Sequence, residues 1–158
     1  MAYKHEHMPM NEVVVREAKS TDATRVAELS GILGYPVDRA AMQRRLEKLD
    51  GREEHVVFVA EVNGEIVGWI HGAERELLVV DRIGEICGLV VAEGQRTNGV
   101  GRRLVEAVEQ WARGRGLEQV SVRSNVARPE SHPFYEKVGY TRLKTQHAYR
   151  KSLPLPER

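Results

Sequence analysis

The chain has 158 residues, 41% of them hydrophobic and 30% charged, a composition that fits one globular domain with its own core and excludes disordered and fibrous classes. Its 24 basic and 23 acidic side chains nearly cancel, so charge gives no reason to expect nucleic acid or an anionic membrane as a partner. Cys87 is the single cysteine, which excludes an internal disulfide, and no apolar run reaches the length of a membrane span or a signal core. A cytoplasmic location is therefore expected.

Residues 1–11 read as a flexible leader, in which His5 and His7 lack further ligands at a metal-binding spacing. Residues 12–153 read as a single domain, and 154–158, with Pro154 and Pro156, as a tail. Val13–Arg16 is β-branched and predicts a first strand, after which Ser20 or Thr21 can cap a helix running from about Asp22 to Leu33. Gly34-Tyr35-Pro36 breaks that helix. Asp38 can cap a second, with Met42, Leu46 and Leu49 turned inward.

Two strand-like runs, His55–Val62 and Glu65–Ile70, flank Asn63-Gly64, the dipeptide that best accepts the two positive φ angles of a tight hairpin. Glu85–Val91 predicts another strand and Val100–Arg113 an amphipathic helix burying Leu104, Val108 and Trp111, stopped by Gly114 and Gly116. Gln119–Arg123 predicts a strand, Pro129 opens a short helix to about Val138, and Tyr140–Leu153 is expected to supply a closing pair of strands. A meander followed by a strand-helix-strand crossover gives an α/β (α+β) class, with a mixed, mostly antiparallel sheet of about seven strands and helices on both faces.

Arg96-Thr97-Asn98-Gly99-Val100-Gly101 stands between an apolar strand and an amphipathic helix. A helix start has unpaired N–H groups and partial positive charge, so a diphosphate placed there meets donors already aimed at it. Glycine at 99 and 101 allows close backbone approach and positive φ, and Arg96 adds a charged donor. The pattern is neither the GxGxxG of a dinucleotide fold nor a P-loop ending in GK[ST]. Taken alone the motif is weak, since a glycine-bearing turn from strand to helix is more often plain structure, and a nucleotide- or phosphate-binding α/β protein could use it as well as an enzyme.

Arg96-x-x-Gly99-x-Gly101 resembles the [QR]-x-x-G-x-[GA] signature of the GNAT superfamily of acyl-CoA-dependent N-acetyltransferases, and Phe134–Tyr140, FYEKVGY, resembles that family's FYEKxGF/Y segment. The two stand in the family's order, one helix and one strand apart, and the resemblance covers about residues 12–153. It implies a V-shaped splay between the fourth and fifth strands. Acetyl-CoA would enter that gap as co-substrate, with no metal. Its pantetheine amides would pair with the backbone of Leu89, Val90 and Val91 and its diphosphate would lie on Arg96, Thr97, Asn98, Gly99, Val100 and Gly101. Asn125 would bond the cofactor arm, and Ser131 stands where the family more often has alanine. The second Asn of the family's NxxN pattern is Arg128 here.

Acetyl transfer needs a neutral amine, a polarised thioester and a proton for the leaving thiolate. The resemblance gives Tyr135 the role of general acid and Glu85, which opens the strand before the phosphate loop, that of general base. Glu74 and Glu76 are lesser alternatives, and many members of the family use no single residue as base. Tyr35 and His71 are candidate acceptor-binding residues. Cys87 reads as a small buried strand residue, not as an acyl-enzyme nucleophile, which favours direct transfer in a ternary complex. The expected partner is a small-molecule or peptide primary amine, with a homodimer allowed. The other readings are a non-catalytic acyl-CoA-binding sensor and the phosphate-binding protein above.

Overall fold

The computed structural model describes residues 12–95, 98–125 and 131–157. They fall into two units divided between Arg123 and Ser124.

In the larger unit, β1 (Val13–Glu17), β2 (His55–Val62), β3 (Glu65–Leu77), β4 (Val80–Val91) and β5 (Val120–Val122) form one sheet in sequence order. The first four strands are antiparallel neighbours and β5 joins β4 in parallel, so the sheet is mixed. The Asn63-Gly64 turn has the predicted positive φ angles, 53° and 77°. The register it starts shifts by one residue at a bulge between Ala60 and Glu61, where Val67 is left over, and that shift places Val59 opposite Trp69 and Val57 opposite His71.

Helices α1 (Ala23–Ile32) and α2 (Arg39–Leu49) bring Val26, Leu29, Met42 and Leu46 against Val59 and Val90 on one face of the sheet. Neither Ser20 nor Thr21 caps α1 by a side-chain hydrogen bond. The turn before it is held instead by Asp22, whose carboxylate accepts from the Lys19 N–H at 2.7 Å and from both terminal nitrogens of Arg16. Arg16 reaches on to Glu61, so a cation from β1 ties the helix entrance to β2. Asp38 caps α2 as predicted, accepting from the Ala41 N–H at 2.7 Å.

Helix α3 (Val100–Gly114) covers the opposite face. Its approach is close because β3 presents glycines to it. A Cβ at Gly68 would stand 3.1 Å from Leu104, and one at Gly72 3.0 Å from Val108. Val100, Leu104, Val105 and Val108 are fully buried there.

The parallel pairing of β4 with β5 covers only Gly84–Ile86 against Val120–Val122. From Cys87 to Val91, β4 has no strand on that side among the described residues. The described pairing between the fourth and fifth strands thus stops at Ile86, next to a bulge at Cys87 of β4, the residue left over where His71 pairs with Gly88 and Gly72 with Ile86.

The smaller unit contains α4 (Ser131–Lys137). Beyond it the sequence expectation fails: no strand forms over Tyr140–Leu153, and Leu143, Tyr149 and Leu153 are all exposed. The sheet has five strands, not about seven. A β-compatible run becomes a strand only where another edge accepts its N–H and C=O groups, and this one finds none among the described residues. No helix among the described residues is long and apolar enough to cross a membrane.

Candidate active site

The loop from β4 into α3 carries the predicted cofactor residues. Arg96 and Thr97 lie outside the described residues. Asn98 donates from Nδ2 to Gln95 Oε1 at 2.8 Å. Gly99 then takes φ 75° in the left-handed region, which favours glycine, and stands at the N-cap of α3 with no side-chain cap. The helix start is thus left to its backbone. Val100 is turned into the core, and Gly101 lies in the first turn of the helix. Arg102 and Arg103 follow in the same turn, both exposed. Cations there oppose the helix dipole, an arrangement that an incoming anion would relieve. Sequence reading missed this pair because it weighed the glycines and not the charges after them.

Leu89, Val90 and Val91 lie on the open stretch of β4. The Ala92 N–H donates to Val67 O on β3 at 2.8 Å. Strand alternation then turns the N–H and C=O of Val90 toward β3 and those of Leu89 and Val91 toward the open edge. Two residues, not three, present free backbone polarity to an extended ligand.

Register places Glu85 opposite Ala73, on the same face of the sheet as His71 and Gly88. Its side chain is 13% exposed and both oxygens face guanidinium groups, Oε2 with Arg75 at 3.0 Å and Oε1 with Arg123 at 3.8 Å. Glu74 is committed elsewhere. Arg82 and Arg115 both donate to it and hold its carboxyl below the ordinary value.

Cys87 is exposed at the bulge and not buried as expected, because the extra residue there turns its side chain out of the packed face. Local desolvation, and secondarily the charge of Glu85, push its thiol up. A thiol so shifted stays protonated near neutrality and is a poor nucleophile.

His71 meets His55 across β2 and β3, Nε2 to Nδ1 at 3.0 Å, with the rings stacked. Burial, and then the neighbouring His55, lower its pKa from 6.5 to about 4, so the ring is neutral at physiological pH. His71 lies in a cavity of about 320 Å³ between α2 and the β2–β3 face, whose floor includes Val57, Leu46 and Trp69 and whose rim includes Arg45, Lys48 and Arg52. Trp69 lies over β4: a Cβ at Gly88 would be 2.9 Å from its ring. Sequence reading placed Trp69 only as a strand residue. Its spacing of two from His71 was the signal that both share a face. Tyr35, the other predicted acceptor residue, is 66% exposed and does not line this cavity. A larger hollow of about 540 Å³ on the α3 face, between Phe58 and Trp111, contains none of the predicted site residues.

In the smaller unit, Ser131 accepts from the Ser124 hydroxyl at 3.2 Å and the Asn125 carbonyl meets His132 Nε2 at 3.2 Å. Tyr135 packs edge-on against Phe134 and Tyr140. Burial pushes its phenol up to about 12, so it holds its proton throughout the neutral range. Among the described residues no group of three or more His, Cys, Asp or Glu side chains could hold a metal ion.

An open strand edge running into an uncapped helix start with a left-handed glycine fits a cofactor with an amide-bearing arm and a diphosphate. Known proteins agree. The acetyltransferase (GNAT) family matches residues 20–140, and the chain belongs to that family. An uncharacterized N-acetyltransferase of Chlorobaculum tepidum is 27% identical over 142 residues, covering 89% of this chain and 83% of that protein. An aminoalkylphosphonate N-acetyltransferase of Salmonella typhimurium is 37% identical over 79 residues, 49% of this chain and 51% of its own length. Among solved structures, an aminoglycoside N-acetyltransferase, AAC(6')-Iy, in complex with CoA superposes with a TM-score of 0.80 at 18% identity, over 89% of this chain and 95% of that one. The protein is an acetyl-CoA-dependent N-acetyltransferase.

Proposed function

We propose that the chain moves the acetyl group of acetyl-CoA to the primary amine of a small molecule by direct attack within a ternary complex. The carrying observation is the continuity of the open β4 edge, Cys87–Val91, with the left-handed Gly99 and the uncapped start of α3. Leu89 and Val91 offer strand-like hydrogen bonds to the pantetheine amides. The diphosphate would lie on the amides at the helix start, from Asn98 to Gly101, with Arg102 and Arg103 beside it and with Arg96 and Thr97 completing the loop. Asn125 and Ser131 belong to the cofactor arm's surroundings in this reading. That relatives are named for aminoglycoside and aminoalkylphosphonate acceptors supports a small amine over a protein. A lone cysteine that stays a thiol suits a reducing cytoplasm.

An ammonium acceptor first loses a proton. Glu85 takes it through a bridging water, its longer contact with Arg123 leaving that oxygen the more available. The amine lone pair then attacks the thioester carbonyl, the C–N bond forms, and collapse of the tetrahedral adduct breaks the C–S bond. The Tyr135 phenol gives its proton to the departing thiolate and regains one from the second amine proton through water, so one proton is released overall. Thiol release in the presence of acetyl-CoA and amines tests this. Gly99→Glu places a side chain at φ 75° and a negative charge at the diphosphate, and abolishes acetyl-CoA binding. Tyr135→Phe keeps binding and lowers kcat by about a hundredfold or more. Normal acetyl-CoA affinity in Gly99→Glu would refute the phosphate cradle.

A further inference from the structure

Resting on that acetyl-transfer reading, we propose that the cavity between α2 and β3 holds an anionic group of the acceptor, so that the substrate is a small primary amine carrying a carboxylate or a phosphate. The floor is apolar, from Val26, Met42, Leu46, Val57 and Trp69, while Arg45, Lys48 and Arg52 stand at the rim and no Asp or Glu among the described residues lines the space. Arg52 is drawn off by Glu54 at 3.0 Å. Arg45 and Lys48 are in no ion pair among the described residues. Lys48 has an explanation in the fold, since it lies in the last turn of α2 where the helix dipole favours a cation. Arg45, three residues earlier on the same side of the helix, has no such partner. Two uncommitted cations over a concave, low-dielectric floor concentrate anions there and disfavour polycationic acceptors.

The cavity lies where an acceptor has to be. Trp69 and His71 in its wall are paired in register with Val90 and Gly88, so the open edge of β4 is one strand farther, about 5 Å. An anion held by Arg45 and Lys48 therefore directs the other end of a short molecule across the Trp69 ring toward that edge. A volume of about 320 Å³ is at the lower end for ligand pockets, which suits a molecule of amino-acid or monosaccharide size. His71 is uncharged at neutral pH, so it adds an uncharged hydrogen-bonding edge without competing for the anion.

Matched probes test the inference on the full chain: O-phosphoethanolamine against ethanolamine, and phenylalanine against phenylalanine amide. Each is followed by thiol release and by the NMR resonances of the His71 ring. At least one anion-bearing member should exceed its partner lacking the anion in kcat/KM by about tenfold or more, and the pair that does so distinguishes phosphate from carboxylate. In R45E/K48E the preference should fall to about one, chiefly through KM, with the single variant K48A intermediate. The preferred anion-bearing probe should shift the His71 resonances in wild type even without acetyl-CoA. Equal use of the members with and without the anionic group, an unchanged preference in R45E/K48E, or immobile His71 resonances would each overturn the inference. In the first two cases continuing thiol release leaves acetyl transfer standing. A shifted His71 with no thiol release from any amine would uphold the anion site and refute the acetyl-transfer reading.

Discussion

Replacing His71 by glutamine should change how the stability of this protein depends on pH. In the folded chain the imidazole titrates near pH 4 instead of 6.5, chiefly because burial disfavours the charged ring and secondarily because of His55. Its folded pKa is depressed, so between pH 6.5 and 4 the unfolded chain binds more protons than the folded one. The resulting stability is fully present above about pH 6.5 and is lost as pH falls toward 4. A shift of this size corresponds to about 3 kcal/mol. Partial solvent access to the ring reduces the expected loss to about 2 kcal/mol. Glutamine can still meet His55 but cannot titrate. Urea unfolding at steps from pH 7.5 to 4.5 should therefore show wild type losing about 2 kcal/mol more than His71→Gln over that interval. Titrating groups away from the His55–His71 contact contribute equally to both proteins and cancel in the comparison. Parallel curves, or an NMR titration of the His71 ring with a midpoint near 6.5, would refute the reasoning.

Two glycines give sharper mutational tests. Gly68→Ala brings a methyl 2.9 Å from the Val90 carbonyl and 3.1 Å from Leu104. Because backbone is among the atoms met, it should destabilise by about 1–3 kcal/mol and lower Tm by about 3–10 °C in a thermal scan. An unchanged Tm would show that α3 does not seat where described. Gly88→Ala meets Trp69 at 2.9 Å and should push the indole into the cavity, raising KM for the acceptor while leaving acetyl-CoA affinity within about twofold. Calorimetric binding of acetyl-CoA and steady-state kinetics separate the two, and a loss confined to acetyl-CoA affinity would contradict the placement of Trp69.

Much of the local structure could be read from the chain because it depends on neighbours in sequence. The Asn63-Gly64 hairpin, the Asp38 cap and the glycine at the start of α3 each answer a backbone requirement met within four residues. The phosphate-loop and FYEKVGY segments were legible for the same reason, as short contiguous runs. Elements that depend on distant partners were not. Ser20 and Thr21 looked like caps, yet Asp22 held by Arg16 closes that turn, because β1 brings a guanidinium there. Cys87 looked like a buried strand residue until the bulge opposite His71 turned it outward.

The sequence by itself determined the alternation of the strands, the faces of the helices and the reaction class, since periodicity and turn chemistry are local and the motifs are contiguous. Only the tertiary structure decided that Tyr140–Leu153 forms no strand among the described residues, for pairing needs an accepting edge that no run of side chains can specify alone. It alone brought His71, Trp69, Arg45 and Lys48 around one cavity. These residues lie on a helix and a strand more than twenty positions apart, and only packing α2 against the β2–β3 face makes them neighbours.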